Sequence, residues 1–564
     1  MLRQLEMFRI GTDKLPEVPL PEGYAIRKYQ PGDEEPLAVM LSDNKGLSEW
    51  DAERVQRDLL SDSLAPGGVH LVTYHGKIVA HTVAQSEDNY MGQRYGRVGW
   101  VAADPGHSGK KLGLAVCTAV VNYLIDHGYD KIVLSTDAWR LPAIKIYLQM
   151  GFEPRVNGAD DRYLWPNLSE EVSYKLTEET QTKIAKGPKG EEIAWRTLEL
   201  EDVKDPCIIA SWCMKREFFQ LNSHKDDIYG KDAPDLLIKA FVRSGANLCP
   251  QFIMPSPDVE HQAANPFHVW EYQKSSWEED LTKEPVEPRK VPQSPEDVRD
   301  LIEAMPDSDS LVNSSEFEQH ADQYAKHLMS LRDRSRGEIL FLGGFSMPDF
   351  MGGYNWGFTN YLSAFELYPE HLQRYFEIRG ESARLFNMCV AEGIKKYSLA
   401  PFVYGGDDIC YNEGPLCSIK TLEKMYFPNL ARAVQPLHDA GIGVIWHCDG
   451  NVLPIMDQLI NDVGVAGFQG FQEETGCTLE HIVTKRRRDG KKLILWGSIS
   501  VTKTLPYGTI DDVKKDVERC FKVAAPGGGF ALASSSSILP ETPVGNIFAM
   551  YDHAERFGKI FLGG

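Results

Sequence analysis

The chain lacks several things that would each have pointed to a function. It has no CxxC pair. Its ten cysteines are scattered, and several, such as Cys117 and Cys207, sit inside apolar stretches. That excludes a disulfide scaffold and a ribbon-type zinc site, and it predicts buried thiols in a reducing, cytosolic compartment. No run approaches the ~20 apolar residues of a membrane helix. The N-terminal stretch MLRQLEMFRIGTDKLP has no long apolar region and no small-residue cleavage site, so neither a membrane span nor a secretory leader is expected. Basic residues are outnumbered, 60 Lys plus Arg against 81 Asp plus Glu, for a formal net charge of -21. A nucleic-acid partner needs a basic face and is not expected. The run Lys485–Arg488 reads as a solvated helix end in acidic surroundings. No sequence repeat is visible.

What is present falls into two regions. In the first, Tyr24–Arg27, Val69–Tyr74, Ile78–Ala84, Arg97–Ala103 and Lys131–Ser135 read as strands, and Glu34–Leu60 and Leu141–Met150 as helices. The strand ending at Ala103 is followed by DPGHSGKKLG and then by a helix with apolar Leu114, Val116, Ala119, Val120 and Leu124. Glycines and lysines that open a helix turn backbone N–H groups and the helix dipole outward, a site suited to a pyrophosphate. An ordinary glycine-containing turn is the competing reading.

This turn, followed by LSTDAWRLPAIKIYLQMGFEP, resembles the GNAT acetyltransferase superfamily. The resemblance spans nearly the whole first region, and AIKIYLQMGF is its most specific part. It implies an acetyl-CoA site formed by Val101, Ala103, Ser108, Gly109, Lys110, Lys111 and Gly113, with Tyr147 protonating the leaving thiolate. Ser108 stands where the family usually has Gln or Arg, Lys111 replaces its middle glycine, and Arg140 stands where an Asn often precedes the last helix. No general base is visible.

A polar stretch from Asn157 to about Gly190, including KGPKG, reads as a linker. A second polar stretch, Lys274–Ser310, reads as a surface excursion. From Glu338 onward the pattern is regular. Glu338–Leu342, Ala400–Tyr404, Gly443–Trp446, Val465–Phe468, Leu493–Trp496 and Gly529–Leu532 read as short buried strands. They alternate with amphipathic segments such as Ser363–Glu392 and Ile419–Ala440. Near-continuous apolar strands alternating with helices predict a parallel sheet, and six or more such units favour a closed (β/α)8 barrel. The expected organisation is α/β: a mixed-sheet domain at 1–165, a linker at 166–195 and a barrel at 196–564.

The strand tips carry the chemistry: Ser346 and Asp349; Asp407 and Asp408; His447 and Asp449; Gln469, Gln472 and Glu473; Ser498; and Ser534–Ser537. Residues at the carboxyl ends of parallel strands converge on one mouth. Paired carboxylates beside a histidine suit acid/base work, and His447-x-Asp449 also offers a metal one nitrogen and one oxygen from a single turn. Asp449 can equally be read as a helix cap.

GGDDICYNEGPLCS, GVIWHCDGN and SSSSILPETPVGN follow in the order seen in the uroporphyrinogen decarboxylase superfamily, which includes corrinoid-linked methyltransferases that alkylate coenzyme M. The resemblance implies a barrel with Ser418, Tyr411, Gln469, Ser498 and Ser536 at the substrate. In the methyltransferases a His-x-Cys pair and a later cysteine bind zinc. Here the pair is His447-x-Asp449 and the later position is Ser536, so a harder divalent metal on His447, Asp449 and a third oxygen ligand is one reading. The decarboxylase's arginine-rich motif is absent. The sequence thus predicts a bifunctional cytosolic enzyme acting on small molecules. Its first part is a CoA-dependent N-acetyltransferase. Its barrel performs decarboxylation or one-carbon/alkyl transfer on a small carboxylated substrate, with His447, Asp449, Asp407 and Asp408 as acid, base or ligands. The alternatives are a non-catalytic sensor or scaffold in one domain, and a metal-dependent methyltransferase. Relatives with this barrel often pair as dimers, so a homodimer is one expectation.

Overall fold

The computed structural model describes residues 4–42, 49–62, 64–90, 92–156, 159–185, 188–223, 225–229, 231–253, 292–306, 317–350 and 356–563. Most of the expected surface excursion lies outside them. The chain divides into two compact units, Arg3–Gly187 and Pro188–Gly564.

The first unit is a seven-stranded mixed sheet with helices. Its elements are β1 (Leu5–Ile10), β2 (Tyr24–Lys28), α1 (Glu34–Ser42), α2 (Ala52–Leu59), β3 (Val69–Tyr74), β4 (Lys77–Tyr90), β5 (Gln93–Ala103), α3 (Leu112–Asp126), β6 (Lys131–Thr136), α4 (Leu141–Gln149) and β7 (Glu153–Pro154). The strand order is β2-β3-β4-β5-β6-β1-β7. Strand β1 was not legible in the sequence. It is added antiparallel to β6, with Leu5 opposite Thr136 and Ile10 opposite Lys131. Leu5 and Met7 point into the core. Among the described residues of 34–60, α1 and α2 are separate helices; they pack Leu37, Leu41, Val55 and Leu59 on Val69, Leu71 and Val83.

One feature of this sheet positions a site. β5 and β6 are parallel, yet they pair only at Gly96–Ile132 and Arg97–Val133. Beyond that point β5 pairs with β4 alone and β6 with β1 alone. A wedge therefore opens between them, and its wide end meets the turn at Asp104.

The segment read as a linker is helical. Helices α5 (Ala159–Glu171) and α6 (Glu178–Ala185) belong to the first unit, and α7 (Gly190–Leu198) to the second. Its polar composition hid Ala194 and Leu198, which join the barrel core. Glu191 on α7 takes a two-point ion pair from Arg332, at 2.5 and 2.7 Å.

The second unit is a barrel of eight parallel strands. In chain order they are β8 (Cys207–Ile208), β9 (Leu248–Cys249), β10 (Leu340–Phe341) continued by β11 (Gly343–Gly344), β12 (Phe402–Gly406), β15 (Gly443–His447), β16 (Gly467–Gln469), β17 (Ile494–Ile499) and β18 (Phe530–Ser534), with a small hairpin β13 (Cys410–Tyr411) and β14 (Gly414–Pro415) between β12 and β15. Seven run in the order β11-β12-β15-β16-β17-β18-β8. Closure comes from β9, which pairs with β10 on one side and on the other meets β8 through the Ile209–Leu248 bridge, with Ala210 N–H donating to Leu248 O at 2.8 Å. Inward residues Ile209, Leu248, Leu342, Tyr404, Ile445, Trp496 and Ala533 fill the interior. Among the described residues, no helix is long and apolar enough to cross a membrane.

Candidate functional site

The barrel strands end as the apolar runs predict, and register decides what their tips share. Gly406 pairs with His447, and His447 with Gln469. The side chains after β12, β15 and β16 therefore rise to one level at the carboxyl rim. Gly406 has to be glycine there, since a Cβ would lie 1.8 Å from His447 O.

His447 is the centre. Its Nδ1 lies 2.6 Å from Gln469 Oε1, which also accepts the Tyr404 hydroxyl at 2.7 Å. The Gln469 amide nitrogen faces Ser535 O at 3.3 Å. The amide oxygen is thus the acceptor, Nδ1 carries the proton, and Nε2 keeps its lone pair. That nitrogen faces Asp408 Oδ1 at 3.8 Å and Asp449 Oδ1 at 3.9 Å. Asp408 Oδ1 also receives the Asp449 backbone N–H at 2.8 Å, and the Ser536 hydroxyl donates to Asp449 Oδ2 at 3.2 Å. Asp449 Oδ1 is buried without a hydrogen-bond partner. Burial raises the Asp449 carboxyl above its usual range, offset by His447 and reinforced by Asp408.

Donor atoms of Asp408, His447 and Asp449 all lie within 4.8 Å of one another. At metal–ligand lengths of about 2.1 Å, neighbouring ligand atoms stand about 3.0–3.5 Å apart. Movements of about half an ångström or less would bring the 3.8 and 3.9 Å pairs into that range. One imidazole and two carboxylates suit a divalent cation of hard or borderline character, and the thiolate set is absent.

Asp407 is separate from this cluster. Alternation past the strand end turns it away from the barrel axis, where Oδ2 accepts Phe350 N–H at 2.6 Å and the Tyr426 hydroxyl at 2.9 Å. Burial, with Asp349 nearby, pushes its carboxyl up to about 7. It anchors the segment after β11. Tyr426→Phe removes one of its donors and is expected to cost about 1–2 kcal/mol in the barrel's denaturant unfolding.

The other sequence-identified residues divide. Gln469 and Ser536 touch the cluster. Ser498 donates to Glu473 at 2.5 Å. Ser418 is exposed and caps the helix that starts at Ile419, and the exposed Tyr411 hydroxyl faces Glu413 at 3.4 Å. Neither of these two contacts His447 among the described residues. Sequence reading missed Tyr404, inside an apolar strand, and Trp212, at the tip of the unread strand β8. The Trp212 ring centroid lies 5.8 Å from that of His447. Trp212, Pro250, Tyr404, Gln469, Ser534 and Ser536 line a cavity of about 20 Å³, room for about one water.

In the first unit the turn after β5 begins with Asp104, whose carboxylate accepts Gly106 N–H at 2.8 Å. Gly109 and Lys111 are left-handed, at φ +78° and +59°. The side chain at Lys111 does not cap α3, and the helix has no acid in its first turn. The first N–H groups of α3 therefore point out of the helix toward the turn, as an anion site requires. Gly113 faces Ile146 of α4, where a Cβ would make an ordinary contact at 3.5 Å. Val101 and Ala103 lie on the part of β5 beyond its pairing with β6, along the wedge. Tyr147 is buried with its ring against Phe152, and burial beside Cys117 holds its hydroxyl well above the usual value, so it stays protonated.

Comparison with known proteins matches two separate stretches of the chain. Residues 37–152 match the acetyltransferase (GNAT) family model, and residues 294–557 the uroporphyrinogen decarboxylase (URO-D) model. The mycothiol acetyltransferase of Thermobispora bispora is 29% identical over 157 residues, covering 26% of this chain and 52% of that protein. The mycothiol acetyltransferase of Arthrobacter sp. (strain FB24) is 30% identical over 162 residues, covering 27% and 50%. The chain thus spans about half the length of these relatives. A solved methyltransferase from Methanosarcina mazei aligns at 17% identity with a TM-score of 0.45, covering 66% of this chain and 99% of its own. A GCN5-related N-acetyltransferase from Sphaerobacter thermophilus aligns at 23% identity with a TM-score of 0.25, covering 27% and 49%. The chain therefore joins a domain of the GNAT acetyltransferase family to a domain of the uroporphyrinogen decarboxylase family.

Proposed function

We propose that the chain is a two-part enzyme acting on small molecules, with an acetyl-CoA-dependent N-acetyltransferase first and a metal-assisted barrel second. The wedge carries the first half of this reading. Its wide end meets the anion-binding turn of Ser108–Gly113. From Ala103 back to the apex at Arg97 is six residues, about 20 Å of strand, the scale of a pantetheine arm. Val101 and Ala103 lie along that path. The thioester then lies at the apex, where an acceptor amine attacks directly, and the protonated Tyr147 supplies the thiolate's proton. Unpaired cysteines support a reducing, cytosolic compartment. Millimolar acetyl-CoA is expected to raise the melting temperature of the intact protein by several degrees through binding linkage. No shift in calorimetry would sink this half.

For the barrel, the buried and unpartnered Asp449 Oδ1 facing a bare imidazole nitrogen carries the reading. Asp408, His447 and Asp449 would hold a divalent cation, with Gln469 fixing the imidazole tautomer and Ser536 orienting Asp449. Bound there, the cation supplies Lewis acidity toward a substrate carboxylate or carbonyl. Trp212 and Tyr404 wall the site, with ring centroids 5.8 and 6.3 Å from that of His447. Decarboxylation or one-carbon/alkyl transfer is the reaction class this supports.

A further inference from the structure

The barrel holds a second and larger cavity at the end away from His447. It is a cleft of about 400 Å³, the size of a small-molecule site (about 300–1,000 Å³). One wall is Leu340 and Phe341, at the start of β10, and another is the stretch Tyr397–Ala400 that runs into β12. Both stand at the amino ends of their strands, whereas the reacting groups of such barrels gather at the carboxyl ends. The cleft is therefore separate from the Asp408, His447 and Asp449 cluster. Its remaining walls are helices. Residues Leu328, Met329 and Arg332 come from the helix Phe317–Arg334, and Glu191, Glu192, Trp195 and Arg196 from one face of α7. Ala194 and Leu198 of the same helix are packed into the barrel core.

The charges around the cleft are matched except for one. Arg332 is held by Glu191 on two points, and Arg196 by Glu201 at 2.6 Å. Lys396, over the Tyr397 ring at 5.6 Å, is held by Asp322 at 2.7 Å. Glu192 is exposed and feels Arg196 as a neighbouring charge, but among the described residues it has no ion pair of its own. Trp195 lies one turn along from it. The ring is half-buried against the barrel core, and its N–H donates to Glu199 Oε1 at 2.9 Å, a residue outside the cleft. The indole thus offers the cleft carbon surface with its polar edge already satisfied. Leu328, Met329, Phe341 and Leu399 extend that surface.

We propose that this cleft binds a small apolar amine, of the arylalkylammonium class, as a ligand distinct from the barrel's substrate. The aryl group packs on Trp195 and Met329, and the ammonium pairs with Glu192, where the adjacent indole adds a cation–π attraction. An anion of the same shape meets Glu192 with the wrong sign, and an alkylamine without a ring leaves the apolar walls uncovered. A ligand that touches α7, the helix Phe317–Arg334 and β10 together stabilises the folded barrel by linkage.

The test is calorimetric titration of the full chain with 2-phenylethylamine and tryptamine, against 3-phenylpropionate and propylamine. The arylalkylamines should bind one per chain, about fivefold or more tighter than either control. E192Q should weaken them by about fivefold or more. Met329→Trp, which fills the cleft from a half-exposed position, should abolish the binding. An unchanged melting temperature without ligand shows that each variant is folded. Binding that survives E192Q with a smaller loss lies elsewhere, in the first unit or at the barrel mouth, and overturns the proposal. So does equal binding of the carboxylate, or no heat at millimolar amine.

Discussion

His447→Ala should abolish stabilisation of the protein by added divalent cation. In the parent protein, a cation at a hundred times its dissociation constant adds about 2.7 kcal/mol to the folded state, which for a unit of this size is a shift of several degrees. Nε2 is the one neutral donor of the cluster, and its lone pair is aimed by the Nδ1 contact to Gln469. Without it two carboxylates remain, 41 residues apart in sequence and tied to each other through the Asp449 N–H to Asp408 bond. Asp449→Asn should remove the metal response as well, but with the opposite sign in metal-free protein. The buried Oδ1 without a partner is costly as a charge and cheaper as a neutral amide. The metal-free variant should therefore melt at or above the parent. Metal content by mass spectrometry and melting with and without chelator decide the matter. A parent protein that carries no metal and shows no shift with zinc, manganese or magnesium would remove the metal from this site.

His81→Leu should flatten the acid lability of the first unit. His81 lies in the middle of β4, in register with Leu71 and Ala102, fully buried, with neither ring nitrogen hydrogen-bonded. Burial alone pushes its pKa down to about 3. The unfolded chain binds a proton at this residue near its ordinary value of about 6.5, while the folded unit refuses it until about 3. Between those values the unfolded state holds more protons, so stability falls as pH falls. Above about 6.5 neither state is protonated and the residue adds no pH dependence. At about 1.4 kcal/mol per unit, the loss across the window is on the order of 5 kcal/mol. Leucine has similar bulk and no proton to take. Calorimetry of the transition that acetyl-CoA shifts, from pH 7.5 to 4.5, should show a steep decline for the parent and a shallower one for the variant. Parallel curves would mean that the imidazole finds solvent or a partner on protonation.

Read alone, the sequence determined what is encoded locally. The apolar runs before Ala103, Tyr404 and Trp446 predicted strands because burial on both faces demands such runs. The polar clusters after them predicted where the chemistry lies, and alternation with helices predicted a parallel barrel. Only the tertiary structure decided what depends on distant partners. Strands β8 and β9 are two residues each, too short for any period to register, and they exist because neighbouring strands pair with them and close the barrel. Strand β1 is ordinary in composition, and its place between β6 and β7 is a matter of sheet topology. The aspartate pair looked equivalent. One residue of strand alternation sends Asp407 away from the barrel axis to Phe350 and Tyr426, and Asp408 toward the mouth to His447 and Asp449. The ion pairs Arg97–Glu87 and Arg155–Glu6 in the first unit join residues that no motif groups together. Local pattern sets which face a residue prefers, but a site is made by which faces meet, and that follows from long-range packing.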